Sequence, residues 1–229
     1  MKEQLIISGL TFVVLIAYHA HLLYHLKRHP DRTSIGVSNH MRTRWVERVM
    51  SENRDVLAVQ TLRNLTMAAS FLASTAIMVD LWLMNAVLGD SSRENTLKFL
   101  ADDGFGLDKF WVFKLILLAI LFMFCFANFM LAIRFYNLVA IYINVPPDKI
   151  KIRYFQKPGF FIDMSQLPDI GEKFLPVAET LNRGAAHYTL GMRGYYFVFP
   201  FSLWLFGAGW FLFGTLFMLV VLRRVDSSE

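Results

Sequence analysis

One carboxylate lies deep inside a long apolar run: Asp80, in the stretch from Leu65 to Leu88. A charge at such depth costs about 2.5–3.5 kcal/mol on insertion scales, so an acid placed there usually faces protein or water. Counted back from Leu88, Asp80 lies roughly 12 Å below the end of its run, and Lys114 lies roughly 6 Å in from Phe110 at the edge of the next run. A lysine stem can cover that difference by snorkelling. Two chemistries follow. Asp80 is a proton or cation site, or it is structural, through an ion pair with Lys114 or a position beside a water-filled vestibule. The structural reading is the expectation.

The first apolar run ends with His19, His21, His25 and His29. His21 and His25 are four apart and share a helix face, as do His25 and His29. Paired membrane histidines can ligate haem or a transition metal. A haem needs axial ligands from opposite sides of its plane, and the second and third runs contain no histidine. The expectation is no haem, metal or other cofactor, with these rings contacting lipid phosphate beside Lys27 and Arg28.

Two polar stripes stand at the ends of apolar runs. Gln60, Arg63 and Asn64 stand at the inner mouth of the second, and Arg134, Asn137 and Asn144 follow the third, all at helical spacing. Such groups bind headgroups, line a pore mouth or join helix to helix. Arg42, Arg44 and Arg48 with Trp45 read as an amphipathic segment at the membrane interface. Nucleic acid is not an expected partner, because the basic residues are interleaved with apolar runs.

The elements that must position these residues are membrane helices. A hydrocarbon core about 30 Å thick needs roughly 20 apolar residues in a helix. Four runs qualify, at about 5–26, 57–88, 110–133 and 195–222. The chain of 229 residues is 55% hydrophobic and only 18% charged, with 22 Phe, which excludes disorder and an ordinary soluble domain. The single cysteine, Cys125, excludes an internal disulfide and a redox pair. No phosphate-binding loop, dinucleotide fingerprint, metalloprotease motif or nucleophile elbow occurs.

The fold class expected is an all-α integral membrane protein. It is a four-transmembrane-helix bundle, one domain over 1–229, with a Pro/Gly-rich cytoplasmic loop before the last helix. That loop, about 145–189, holds Pro146, Pro147, Pro158, Gly159, Pro168, Gly171 and Pro176. A short interfacial helix is expected over 177–193. Of 23 Lys and Arg residues, 16 lie in the segments Lys27–Arg63 and Arg134–Arg193. Basic loops stay inside, so both segments are expected in the cytoplasm and both termini outside a bacterial inner membrane. Arg223 and Arg224 run against that assignment. The fourth run is rich in aromatics, and Gly207 and Gly209 within it allow either a close crossing or a break.

The segments His29–Val37, Arg42–Val46, Val56–Asn64, Ile143–Pro146, Thr180–Gly184 and Leu190–Phe197 together resemble a membrane family of bacteria and plants known as domain of unknown function 599. The resemblance covers nearly the whole chain. It implies four transmembrane helices and no established activity, and it transfers no catalytic or ligand residue.

The function expected is that of a non-enzymatic membrane protein acting by association in the lipid bilayer. It would be a homo-oligomer or an accessory subunit of a larger membrane complex. The alternative is an oligomeric ion channel or transporter using Asp80. A third reading is a haem or metal protein built on the histidines of the first run.

Overall fold

A computed structural model describes residues 2–28, 33–52, 54–89, 107–145, 171 and 173–226. Among them run six α-helices: α1 (Lys2–Arg28), α2 (Ser34–Ser51), α3 (Asp55–Leu88), α4 (Leu107–Tyr142), α5 (Leu175–Trp204) and α6 (Ala208–Asp226). Four are long and apolar enough to cross a membrane, over Glu3–His21, Val56–Leu88, Phe110–Tyr142 and Ala208–Asp226. The chain is an all-α integral membrane protein. Outward positions on these helices carry large apolar chains such as Ile6, Phe71, Trp82, Ile120 and Phe213, a surface suited to lipid and penalised by water.

Helical periodicity decides which face turns inward. On α3 the buried residues are Ala58, Leu62, Ala69, Ala73, Ala76, Asp80, Leu83 and Val87. They recur mostly every three or four positions, so they form one seam along the helix. Four of them are alanine, which lets neighbouring backbones approach closely. Asp80 occupies one place in this seam and therefore turns into protein rather than lipid.

The helix α2 is amphipathic. Thr33 caps it, its Oγ1 accepting from Gly36 N at 3.2 Å, which satisfies one amide of the first turn. Thr43, Val46, Val49 and Met50 are buried. Arg44 and Arg48 point outward to Glu47 and Glu52, at 3.1 and 3.0 Å.

Two expectations are corrected in the last third of the chain. The run 195–222 is not one helix. It breaks after Trp204, where the amides of Leu205, Phe206 and Gly207 bond to Ser202, Leu203 and Trp204 carbonyls at 3.2, 3.1 and 3.2 Å. Gly207 has φ +148°, a conformation that a side chain would strain. The helix α6 then returns along α5. Phe211 stacks on Trp204 at 4.9 Å, Phe217 lies 6.2 Å from Phe199, and a Cβ on Gly214 would sit 3.2 Å from Pro200 Cα.

The segment 177–193 is not a short interfacial helix either. It is the first part of α5, which begins at Leu175. Pro176 stands in the first turn, where its missing amide costs no helical bond. Val177, Ala178, Glu179 and Asn182 are buried there, so packing takes the face that headgroups would have contacted. Residues 146–170 of the Pro/Gly-rich loop lie outside the described residues.

The chain divides into two compact units. Unit 1 comprises residues 1–23, 74–127 and 191–224. Its core is aromatic: Phe12 lies 5.8, 5.5 and 5.5 Å from Phe201, Trp204 and Phe211 in edge-to-face geometry, the arrangement that ring quadrupoles favour. Unit 2 comprises residues 24–73, 128–190 and 225–229. Its core is mostly aliphatic, with Val46 and Val49 of α2, Leu62 of α3, Val139 of α4 and Val177 and Leu181 of α5.

Candidate functional site

Asp80 is 2% exposed. Its Oδ1 has no hydrogen-bond partner among the described residues. A buried carboxyl oxygen without a partner loses the hydration it had in water and gains nothing in exchange.

Lys114, the partner expected for it, is engaged elsewhere. Its side chain is also buried, at 5% exposure, and Nζ donates to Trp204 O at 2.8 Å. Nζ lies 4.7 Å from the Phe110 ring and 5.4 Å from the Trp204 ring. Trp204 ends α5, and its carbonyl, which also accepts from Gly207 N at 3.2 Å, has a second lone pair for Lys114. Lys114 thus caps α5, its positive charge at the negative end of the helix dipole. Among the described residues no carboxylate lies within ion-pair distance of it. The expected Asp80–Lys114 ion pair is absent. Matching depth does not make a pair, because the two side chains must also share an azimuth.

Trp204 itself is held from a second side. Its Nε1 donates to Ser8 Oγ of α1 at 2.9 Å. Phe110, Lys114 and Ser8 therefore converge on one residue at the end of α5. Beside it opens a cavity of about 300 Å³ lined in part by Gln4, Trp111, Lys114 and Phe206.

Unit 2 holds a different polar interior. Arg42 Nε donates to Asn182 Oδ1 at 3.0 Å and its Nη2 to Asn39 Oδ1 at 2.5 Å. Asn182 is 0% exposed, and its Nδ2 donates to Thr43 Oγ1 at 3.0 Å. Thr43 Oγ1 in turn donates to Asn39 O at 2.8 Å. Burial pushes the Arg42 guanidinium below its ordinary value, partly opposed by Tyr136. One turn before Arg183, Glu179 pairs with it. His187 Nδ1 lies 3.0 Å from Asn128 Oδ1, with its ring stacked on Phe135 at 5.5 Å.

Most of the remaining residues singled out from the sequence lie on the surface. Gln60, Arg63, Asn64, Arg134, Asn137 and Asn144 are all exposed, so both stripes face away from the packed interior. Asn144 Nδ2 turns back to Ala140 O at 2.9 Å. Trp45 packs against the core of unit 2, and Arg44 is exposed. His19 Nδ1 lies 2.9 Å from Leu15 O on its own helix, and its ring is 5.0 Å from Phe197. His21 is exposed, and the His25 side chain lies outside the described residues. Among the described residues no three His, Cys, Asp or Glu side chains converge as a metal-binding group.

The Arg42–Asn182–Thr43 network and the His187–Asn128 contact were not read from the sequence. A signal existed: Glu179, Arg183 and His187 follow each other at intervals of four, one helix face. Their partners are not in any local pattern, since Arg42 and Asn182 are 140 residues apart.

The family model described as protein of unknown function, DUF599, matches residues 6–229. No curated protein and no solved structure matches the chain.

Proposed function

We propose that this chain, which belongs to the DUF599 family, is a membrane transport protein that moves a cation, in the simplest case a proton, with Asp80 as the group that binds and releases it. The observation that carries this reading is Asp80 itself: 2% exposed, on the inward seam of α3, with Oδ1 unpartnered. An ionisable group inside a membrane helix is costly and is retained mainly for a pathway or a binding step. With Lys114 spent on Trp204, a structural pair no longer accounts for it. The association reading leans on the aromatic surface of α6, and lipid contact accounts for that surface equally well.

The test is flux in liposomes carrying the purified chain, under imposed gradients of protons, sodium or potassium. Wild type is expected to dissipate one of them, and Asp80→Asn to lose at least tenfold of that flux with its melting temperature unchanged. No flux in wild type, or equal flux in Asp80→Asn, would overturn the proposal.

The orientation belongs to the same proposal. The helix α5 runs beside α4 in the opposite direction. In unit 2 a Cβ on Gly184 would lie 2.9 Å from the Tyr136 ring, and Tyr188 lies 5.7 Å from Phe129. In unit 1 Tyr195 lies 6.1 Å from Phe122, and Trp204 lies 5.7 Å from Phe110. A helix of 30 residues reaches about 45 Å, enough to cross wherever α4 crosses. We infer that α5 is a fifth crossing and that the two termini lie on opposite sides, the C-terminus in the cytoplasm. Arg223 and Arg224 then join the basic side while Arg193, next to the Gly194–Cys125 contact, falls inside the crossing, and the split changes from 16 against 7 to 17 against 5, in the direction of the positive-inside bias.

Single cysteines at Ser92, Ser165 and Ser228 in a Cys125→Ala background test this with an impermeant thiol reagent on intact cells. Labelling is expected at Ser92 alone. Labelling at Ser92 and Ser228 together would return both termini to the outside.

A further inference from the structure

We propose that the cavity beside the end of α5 binds an anionic amphiphile, with its oxyanion on Lys114 and Gln4 and its apolar part against the surrounding rings. The proposal is independent of the Asp80 reading and rests on unit 1 alone.

The cavity measures about 300 Å³, near the lower bound of small-molecule sites. That volume suits a headgroup with the first few methylenes of a chain. Its lining is mixed, with Phe110, Trp111, Leu205 and Phe206 on the apolar side and the side chains of Lys114 and Gln4 on the polar side. The turn that closes one side contains Gly207, where an added Cβ would meet nothing within 4 Å, so there is open space beside it.

The chemistry of the ligand follows from Lys114. An ammonium carries three donors, and here one goes to Trp204 O. The others find no oxygen among the described residues. The described groups around the ammonium, one carbonyl and two ring faces, present partial negative charge only. A buried cation is compensated fully only by an anion with good hydrogen bonds, and among the described residues no carboxylate stands within ion-pair distance. An oxyanion placed in the cavity would take the unspent donors, and the Gln4 amide offers a further one. The Phe110, Trp111, Leu205 and Phe206 side chains of the lining then favour an acyl chain behind the oxyanion over a free inorganic ion. A fatty-acid carboxylate and an acidic phospholipid headgroup share this chemistry.

Tryptophan quenching reads the binding, since Trp111 stands in the wall. The full chain in mild detergent is titrated with dibromostearate, with dibromostearyl alcohol, and with brominated phosphatidylglycerol. Saturable quenching by at least one anionic probe is expected, at least tenfold stronger than by the alcohol, and most of it is lost in Trp111→Phe. Fatty acid alone identifies a carboxylate ligand, and phosphatidylglycerol alone or equally strong identifies a lipid headgroup. Lys114→Met should weaken the anionic probe at least tenfold. Because Lys114 also caps α5, Gln4→Leu serves as the second variant, with a severalfold loss and no change in melting temperature. Asp80→Asn should bind as wild type does, whatever its flux. Equal quenching by acid and alcohol, or full affinity in both Lys114→Met and Gln4→Leu, would overturn the proposal.

Discussion

The two units bury their main polar groups in different ways. In unit 2, Arg42, Asn182 and Thr43 close a chain of hydrogen bonds through α2 and α5, and Glu179 is paired with Arg183. In unit 1, Asp80 Oδ1 and Thr215 Oγ1 are buried without partners among the described residues, and Lys114 is held by one carbonyl and two rings. A satisfied network fixes which helices meet and in what register, and removing a member leaves the rest orphaned. Unspent capacity does the reverse: it weakens the fold slightly and leaves room for something to bind. On the proposed reading, unit 2 supplies architecture and unit 1 the binding chemistry.

The largest effect expected from this contrast is on stability, in unit 2. Asn182→Leu removes an acceptor from the Arg42 guanidinium and a donor from Thr43, and is expected to cost about 3 kcal/mol, the scale for losing a bond to a charged group and leaving it buried. Reversible unfolding in mixed micelles measures it. Asp80→Asn should stay within about 0.5 kcal/mol of wild type, since it breaks no hydrogen bond. Equal losses in the two variants would erase the distinction between the units.

A smaller effect separates the two glycine contacts between α4 and α5. A Cβ on Gly194 in unit 1 would collide with Cys125 Sγ, and one on Gly184 in unit 2 would lie 2.9 Å from the Tyr136 ring. Each Gly→Ala change is expected to cost about 2 kcal/mol by overpacking. Cys125→Ala removes the atom in the way and should recover at least half the loss of Gly194→Ala. Tyr136→Phe keeps its ring in place and should recover none of the loss of Gly184→Ala. A double-mutant cycle reads both couplings. Absence of rescue by Cys125→Ala would remove the close α4–α5 approach from the account of unit 1.

Parts of this were legible without coordinates, for a definable reason. A helix that touches lipid must be apolar over much of its surface, so α1, α3 and α4 announce themselves by hydropathy alone. Asp80 stood out for the same reason, as one acid in a run that tolerates none cheaply. The helix α5 was not legible as one element. Of its residues, only Phe199 is exposed. Sheathed by its neighbours, it carries Glu179, Asn182, Arg183, His187 and Arg193 at no cost to lipid contact, and its first half reads as loop and interface. Its apolar second half merged with α6 into one apparent run, because composition records apolarity and not the reversal at Gly207.

What the sequence determined by itself was the solvent of each helix: which faces meet lipid, and which residues do not belong there. That follows from transfer free energy, a local property of each side chain. What only the tertiary structure decided was partnership. Lys114 and Asp80 have compatible depths along their helices, yet the rotation of α4 sends Lys114 to the carbonyl of Trp204. Arg42 and Asn182, 140 residues apart, meet because α2 and α5 pack in unit 2. Depth is set by position along one helix, while azimuth is set by packing against the others, and a hydrogen bond needs both.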